Sequence, residues 1–213
     1  MITWFAEFYR SGGTFMHFIA VCGLYVLGVA IYKCIFLLVK FNTNGANLMK
    51  QIQKLVMANN VDKAIKLCDA AGDAALAKVM KAGLSRANRG ELEIQNAMEE
   101  ATLEVTPKIS KLLPSMFAIS STATMFGLLG TIFGLIDAFE AVAHAAPEQK
   151  SAMLANGIAI AMNTTGWGLM IAIPGTIIHL VLNGLAGKIL NDLDLYSVKL
   201  SNLLVNREKG TAE

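Results

Sequence analysis

Hydrophobic and polar positions along this chain are segregated into long blocks. Residues 11–32, 112–136 and 151–187 contain no Asp, Glu, Lys or Arg. Each block reaches the roughly 20 residues, at about 1.5 Å rise per residue, that a helix needs to cross a bilayer. The first apolar run, 15–39, is interrupted only by Lys33. It is longer than the roughly 7–15 apolar residues of a secretory signal, so it is expected to remain attached as a span. Lys33 sits near its end and is expected to snorkel toward water.

Between the first two blocks the pattern changes to a helical one. Leu48, Ile52, Leu55 and Val56 recur at the spacing of one helix face, and Val61, Ile65, Leu67 and Cys68 open another series after Asn59-Asn60. Asp73, after Gly72, is the expected N-cap of a helix over 74–86, and Asn88-Arg89-Gly90 marks the next break. From Glu91 a fourth helix carries glutamates early and Lys108 and Lys111 late, the order that suits a helix dipole. Pro107 and Pro114 are expected to kink it at the membrane boundary. After 187, Ile189, Leu193, Leu195, Leu200, Leu203 and Leu204 continue a helical apolar series that is expected to pack on the loop helices.

These blocks predict an all-α integral membrane protein with three transmembrane helices extended into a helical cytoplasmic domain. Its segments are an external N-terminus (1–12), a first span (13–39), a cytoplasmic helical domain (40–111), a second span (112–143), an external loop (144–150), a third span (151–187) and a cytoplasmic C-terminal helix and tail (188–213); the family resemblance described below makes the external side periplasmic. The orientation follows from Lys33, Lys40, Lys108, Lys111 and Lys188 flanking one side, against Arg10 and Lys150 on the other.

Composition narrows the function. The chain is 54% hydrophobic and 16% charged, whereas a soluble domain is roughly 25% charged. A net charge of +2 with no basic stripe argues against nucleic-acid binding. Cys22, Cys34 and Cys68 form no C-x-x-C pair, and neither metal ligands nor a cofactor motif is evident. No nucleophile–base pair or phosphate-binding loop points to an enzyme.

Chemistry concentrates in the second and third spans. Ala123, Gly127, Gly130, Gly134 and Ala138 form a small-residue stripe, with Ser120, Thr124 and Thr131 on nearly the same face. Ala161, Thr165, Gly168, Ala172 and Thr176 form a corresponding face on the third span. Small residues let helices approach closely where no hydrophobic effect drives association, and aligned hydroxyls could line a narrow polar path. From spacing alone, packing outweighs conduction, because Ser and Thr in spans commonly bond to the carbonyl four residues back. His179 is more readily a structural histidine than a proton relay. Asp137 and Glu140, where the second span ends, fit either a cation-gathering outer mouth or ordinary interfacial solvation. Pro174 is expected to bend the third span.

Two runs carry a family resemblance. Gly127-Leu128-Leu129-Gly130-Thr131-Ile132-Phe133-Gly134 followed by Asp137-Ala138-Phe139 resembles the second-span signature of the ExbB/TolQ/MotA proton-channel family. The run from Ala155 to Leu169, with Ala172-Ile173-Pro174, resembles its third-span signature, closest to the ExbB/TolQ branch. The resemblance implies a homopentamer in the bacterial inner membrane, its pore lined by the second and third spans. It also implies a dimeric, single-span ExbD/TolR-like partner carrying a membrane aspartate, and a TonB/TolA-like protein beyond it. Thr131 and Thr165, with neighbouring Thr164, are the implied ion pathway. Gly127, Gly130, Gly134, Gly168, Ala161 and Ala172 are the implied pore-face packing residues. The implied function is a stator-like motor that uses the proton motive force to drive transport or maintain the envelope. A sodium-driven motor and a non-conducting scaffold are the alternatives. The chain departs from ExbB and TolQ at Ile160, where those proteins usually have glutamate, and at His179-Leu180, where they have tyrosine-asparagine. The resemblance then assigns the titratable carrier to the partner.

Overall fold

The computed structural model describes residues 13–41 and 45–210, with side chains omitted at 39–41 and 208–210. The expected N-terminal segment 1–12, with Arg10, and the last three residues lie outside the described residues, as does the side chain of Lys40. The described regular structure is helical throughout: α1 (Phe15–Ile35) continuing as a π-helical stretch (Phe36–Phe41), α2 (Gly45–Met57), α3 (Val61–Ala70), α4 (Ala75–Ser85), α5 (Glu91–Ser110), α6 (Leu113–Ala143) and α7 (Lys150–Gly210). Among the described residues, three stretches are long and apolar enough to cross a membrane: Phe15–Leu38, Glu91–Ala143 and Lys150–Arg207.

The chain divides into two compact units. The first contains 13–32 and 112–181 of the described residues, and so most of α1, all of α6 and the first half of α7. Within it α1 packs through aromatic pairs, Phe15 on Phe133 with ring centroids 5.3 Å apart and Phe18 on Phe126 at 5.5 Å. The Tyr25 and Ser115 hydroxyls share a hydrogen bond of 2.9 Å. Leu112 precedes α6 in the left-handed region (φ 72°), which for a residue with a Cβ costs about 1–2 kcal/mol. Pro114 therefore starts α6 rather than kinking a longer helix. In the first turn its missing N–H would have had no intrahelical partner.

The second unit contains 33–111 and the remainder of α7. Leu48, Ile52 and Val56 of α2, Ala64 and Cys68 of α3, Val79, Met80 and Leu84 of α4, and Ile94, Met98, Val105 and Ile109 of α5 are buried. Leu193, Leu200 and Leu204 supply the α7 side of this core, while Leu195 of the same series is exposed. Asp73 does not cap α4. The N-cap is Ala74, one residue later, and Asp73 instead forms an ion pair with Lys78 at 2.9 Å. Asn59 (φ 55°) turns the chain between α2 and α3, and Gly90 (φ 89°) precedes α5.

Lys33 does not snorkel. It is 1% exposed, and its Nζ donates to the carbonyls of Lys108 (3.1 Å) and Ile109 (2.8 Å), with the Phe36 ring centroid 5.3 Å away. The end of α5 explains this. Helix-terminal carbonyls lack intrahelical donors and carry the negative end of the dipole, so an ammonium satisfies both.

Candidate functional site in the paired apolar helices

Glycines and alanines on α6 and α7 leave almost no space between the two backbones. A Cβ added to Gly127 would lie 3.1 Å from Thr165 Cα and 3.4 Å from Gly168 Cα. One added to Gly168 would lie 2.7 Å from the Ala123 carbonyl oxygen, and one on Gly134 would lie 3.1 Å from Ala161 Cβ. Gly130 faces Thr164, Gly157 faces Ala138 and Gly175 faces Ser120. As α6 positions rise from 120 to 138, their α7 neighbours fall from 175 to 157, the register of an antiparallel pair. The stripes are therefore one continuous seam within the chain. Gly157 and Gly175 belong to it and were absent from the sequence-derived set. Their signal was present, since Gly157 precedes Ala161 by four and Gly175 follows Gly168 by seven. Ala172 is buried, and Pro174 lies on the exposed side of α7 without interrupting the helix.

The three threonines of the candidate pathway use their hydroxyls differently. Thr165 Oγ1 donates 2.9 Å across the seam to the Gly127 carbonyl. Glycine at 127 suits this close approach, since a Cβ there would crowd Thr165 Cα at 3.1 Å. Thr164, 1% exposed, donates at 3.2 Å to Ile160 O one turn back. Thr131, half-buried, donates at 2.6 Å to Leu128 O. Each hydroxyl proton is thus directed at a backbone carbonyl, and the oxygens of Thr131 and Thr165 retain acceptor capacity.

Ser120 Oγ, in a fully buried residue, and His179 Nδ1 are buried in this unit without hydrogen-bond partners among the described residues. The His179 ring lies 5.3 Å from Phe117 at a 40° tilt. It is a packed histidine, in contact with an aromatic ring. Asp137 and Glu140 are exposed near the end of α6, away from Thr164 and Thr165. The structure thus brings together Thr164, Thr165, Gly127, Gly130, Gly134, Gly168 and Ala161, and leaves the two carboxylates apart from them. No group of three or more potential metal ligands occurs among the described residues.

Comparison with known proteins gives this seam a context. A sequence model described as the MotA/TolQ/ExbB proton channel family matches residues 71–194. A putative biopolymer transport protein ExbB homolog from Methanothermobacter thermautotrophicus is 26% identical over 167 residues, covering 78% of this chain and 58% of that protein. The Tol-Pal system protein TolQ of Pseudomonas aeruginosa is 33% identical over 86 residues, 40% of this chain and 37% of its own length. The biopolymer transport protein ExbB of Aquifex aeolicus is 30% identical over 87 residues, 41% of this chain and 57% of that protein. The chain thus spans less than two thirds of the length of each of these curated relatives. A chain of the solved C. jejuni MotAB structure aligns over 87% of this chain and 79% of its own, with a TM-score of 0.46 and 15% identity. The family match covers more than half of the sequence and takes in all of α6 and the seam-forming part of α7, and the chain belongs to the MotA/TolQ/ExbB proton channel family.

Proposed function

We propose that this chain is the pore-forming, stator-like subunit of an inner-membrane motor driven by the proton motive force. It acts as a homopentamer around a dimeric, single-span ExbD/TolR-like partner and transmits force to the periplasm or outer membrane. In this reading the N-terminus and the α6–α7 connection are periplasmic and the second unit is cytoplasmic. The observation that carries the reading is the charge-free α6/α7 seam, in which Thr165 bonds across to Gly127 in a member of a proton channel family.

The chemistry follows from what the seam lacks. Residues 112–136 and 151–187 contain no carboxylate, so the titrating group is supplied by the partner's membrane aspartate. A protonated carboxyl needs an acceptor, and the hydroxyl oxygens of Thr131 and Thr165 provide acceptors on rigid helices, with buried Thr164 packed behind them. An ionised carboxylate instead takes a donated bond only when a hydroxyl turns its proton away from the backbone carbonyl, so the threonines respond differently to the two protonation states. One charge crossing 100 mV releases about 2.3 kcal/mol, enough to bias a small step in a symmetric ring. Asp137 and Glu140 gather cations at the outer mouth, and Pro174 sets the course of α7.

A second reading has its own support. All three threonine hydroxyls already donate to backbone carbonyls, as expected of a non-conducting scaffold. Proton flux into proteoliposomes containing the co-purified complex separates the two. Thr131→Ala and Thr165→Val are expected to reduce flux at least tenfold while leaving the subunit ratio in native mass spectra unchanged. Loss of assembly in both variants would favour the scaffold.

A further inference from the structure

We propose that neighbouring copies of this chain join head to tail through their second units, the exposed face of α2 in one copy docking on the exposed stripe of α5 in the next. The inference rests on the homo-oligomeric reading above and adds which two surfaces meet. Two large apolar side chains mark them: Met57, at the end of α2, is 74% exposed, and Leu92, at the start of α5, is 70% exposed. Neither stands alone. Seven residues before Met57 is Lys50, with Lys54 between them, and α2 carries no acidic residue. Seven residues after Leu92 is Glu99, followed by exposed Leu103, and α5 carries five glutamates against one lysine. Seven residues are nearly two helical turns, so each pair shares a face and spans about 10.5 Å. Lys50, Lys54 and Glu99 are exposed and enter no ion pair among the described residues, although Glu93 and Glu104 of the same α5 pair with Arg86 and Lys108.

The geometry of the unit sets the two faces in register. A cavity at one end brings Asn59, just after α2, together with Ala87, Asn88 and Arg89, just before α5, so Met57 and Leu92 lie at the same end. The short links from α2 through α3 and α4 to α5 reverse the chain three times, which leaves α2 and α5 antiparallel. A rotation about an axis along the helices preserves height, so Met57 of one copy arrives level with Leu92 of the next and Lys50 level with Glu99. The faces also point away from each other. Gly45, at the start of α2, lies against Tyr196 of α7, where a Cβ would be 2.6 Å from the ring. Asp194 and Val198, two residues to either side and so on nearly the opposite face of α7, border α5 beside Glu99. Docking either face on its own counterpart would set like charges together, which disfavours a twofold contact. A contact between two different surfaces repeats from copy to copy, and closes into a ring when the rotation allows.

The test uses the 213-residue chain in maltoside micelles, with Cys22→Ala, Cys34→Ala and Cys68→Ala as background and Met57→Cys/Leu92→Cys added. Mild oxidation is expected to give a ladder of disulfide-linked multimers on denaturing gels, whereas either new cysteine alone gives no dimer. Lys50→Glu is expected to slow this cross-linking at least tenfold, and adding Glu99→Lys to restore it. In the unaltered protein, carbodiimide coupling of rings mixed from light and heavy nitrogen-labelled copies should join Lys50 of one copy to Glu99 of another. Native mass spectra separate the two possible failures. A monomeric parent protein sinks the homo-oligomeric reading and this contact with it. An oligomeric parent overturns the contact alone if it shows neither ladder nor carbodiimide link, if Lys50→Glu has no effect, if the double charge variant is not rescued, or if a single cysteine yields dimers.

Discussion

Lys33 shows how far one residue's position can depart from its sequence context. A lysine near the end of an apolar run looks destined for the headgroups, yet here it is buried against the last carbonyls of α5. Lys33→Met preserves length and removes both bonds, so it is expected to destabilise the protein by about 1–3 kcal/mol, read as a lowered melting temperature in detergent. An unchanged melting temperature would mean that the capping bonds contribute nothing. Cys68 makes a second residue-scale case. Burial, reinforced by the neighbouring Asp69 carboxylate and opposed by Lys81, pushes its thiol up to about 11 from an ordinary 9.0. The folded protein holds this proton more tightly than the unfolded chain. The associated stability is thus fully present below about pH 9 and lost as pH rises through about 11. The melting temperature of the parent protein should therefore fall more steeply over that interval than that of Cys68→Ala.

The seam between α6 and α7 is a property of elements. Its glycines are not interchangeable with glycines elsewhere on α7, because a Cβ at 168 meets a backbone carbonyl 2.7 Å away whereas one at 187 meets nothing within 4 Å. Gly168→Ala is expected to force the helices apart and lower the melting temperature. Gly187→Ala should leave it unchanged or raise it, since alanine favours a helix interior by about 1 kcal/mol over glycine. Equal behaviour of the two variants would sink the close-packing argument. Much of this seam was legible, because small residues recurring every three or four positions can only lie on one face. Which hydroxyl would cross it was not legible. Thr164 and Thr165 are adjacent in sequence, and only the rotation of α7 against α6 decides that Thr165 reaches Gly127 while Thr164 bonds within its own helix.

At the scale of the whole molecule, the proposed motor predicts ion selectivity. Replacing sodium with choline while holding the proton gradient constant is expected to leave the activity of the partner-containing complex intact. A loss of activity would point to a sodium-driven relative of the same design. The sequence by itself determined an all-helical protein with three apolar helices long enough for a bilayer, together with the family signatures, because block hydropathy and small-residue periodicity are local properties of a chain. Tertiary structure alone decided the antiparallel register of α6 and α7, the burial of Lys33 and the replacement of Asp73 by Ala74 at the α4 cap. It also decided that the hydroxyls of Ser197 and Ser201 are buried without hydrogen-bond partners among the described residues. Each of these depends on which backbone groups of a distant segment arrive beside a side chain, and spacing within one segment carries no information about that.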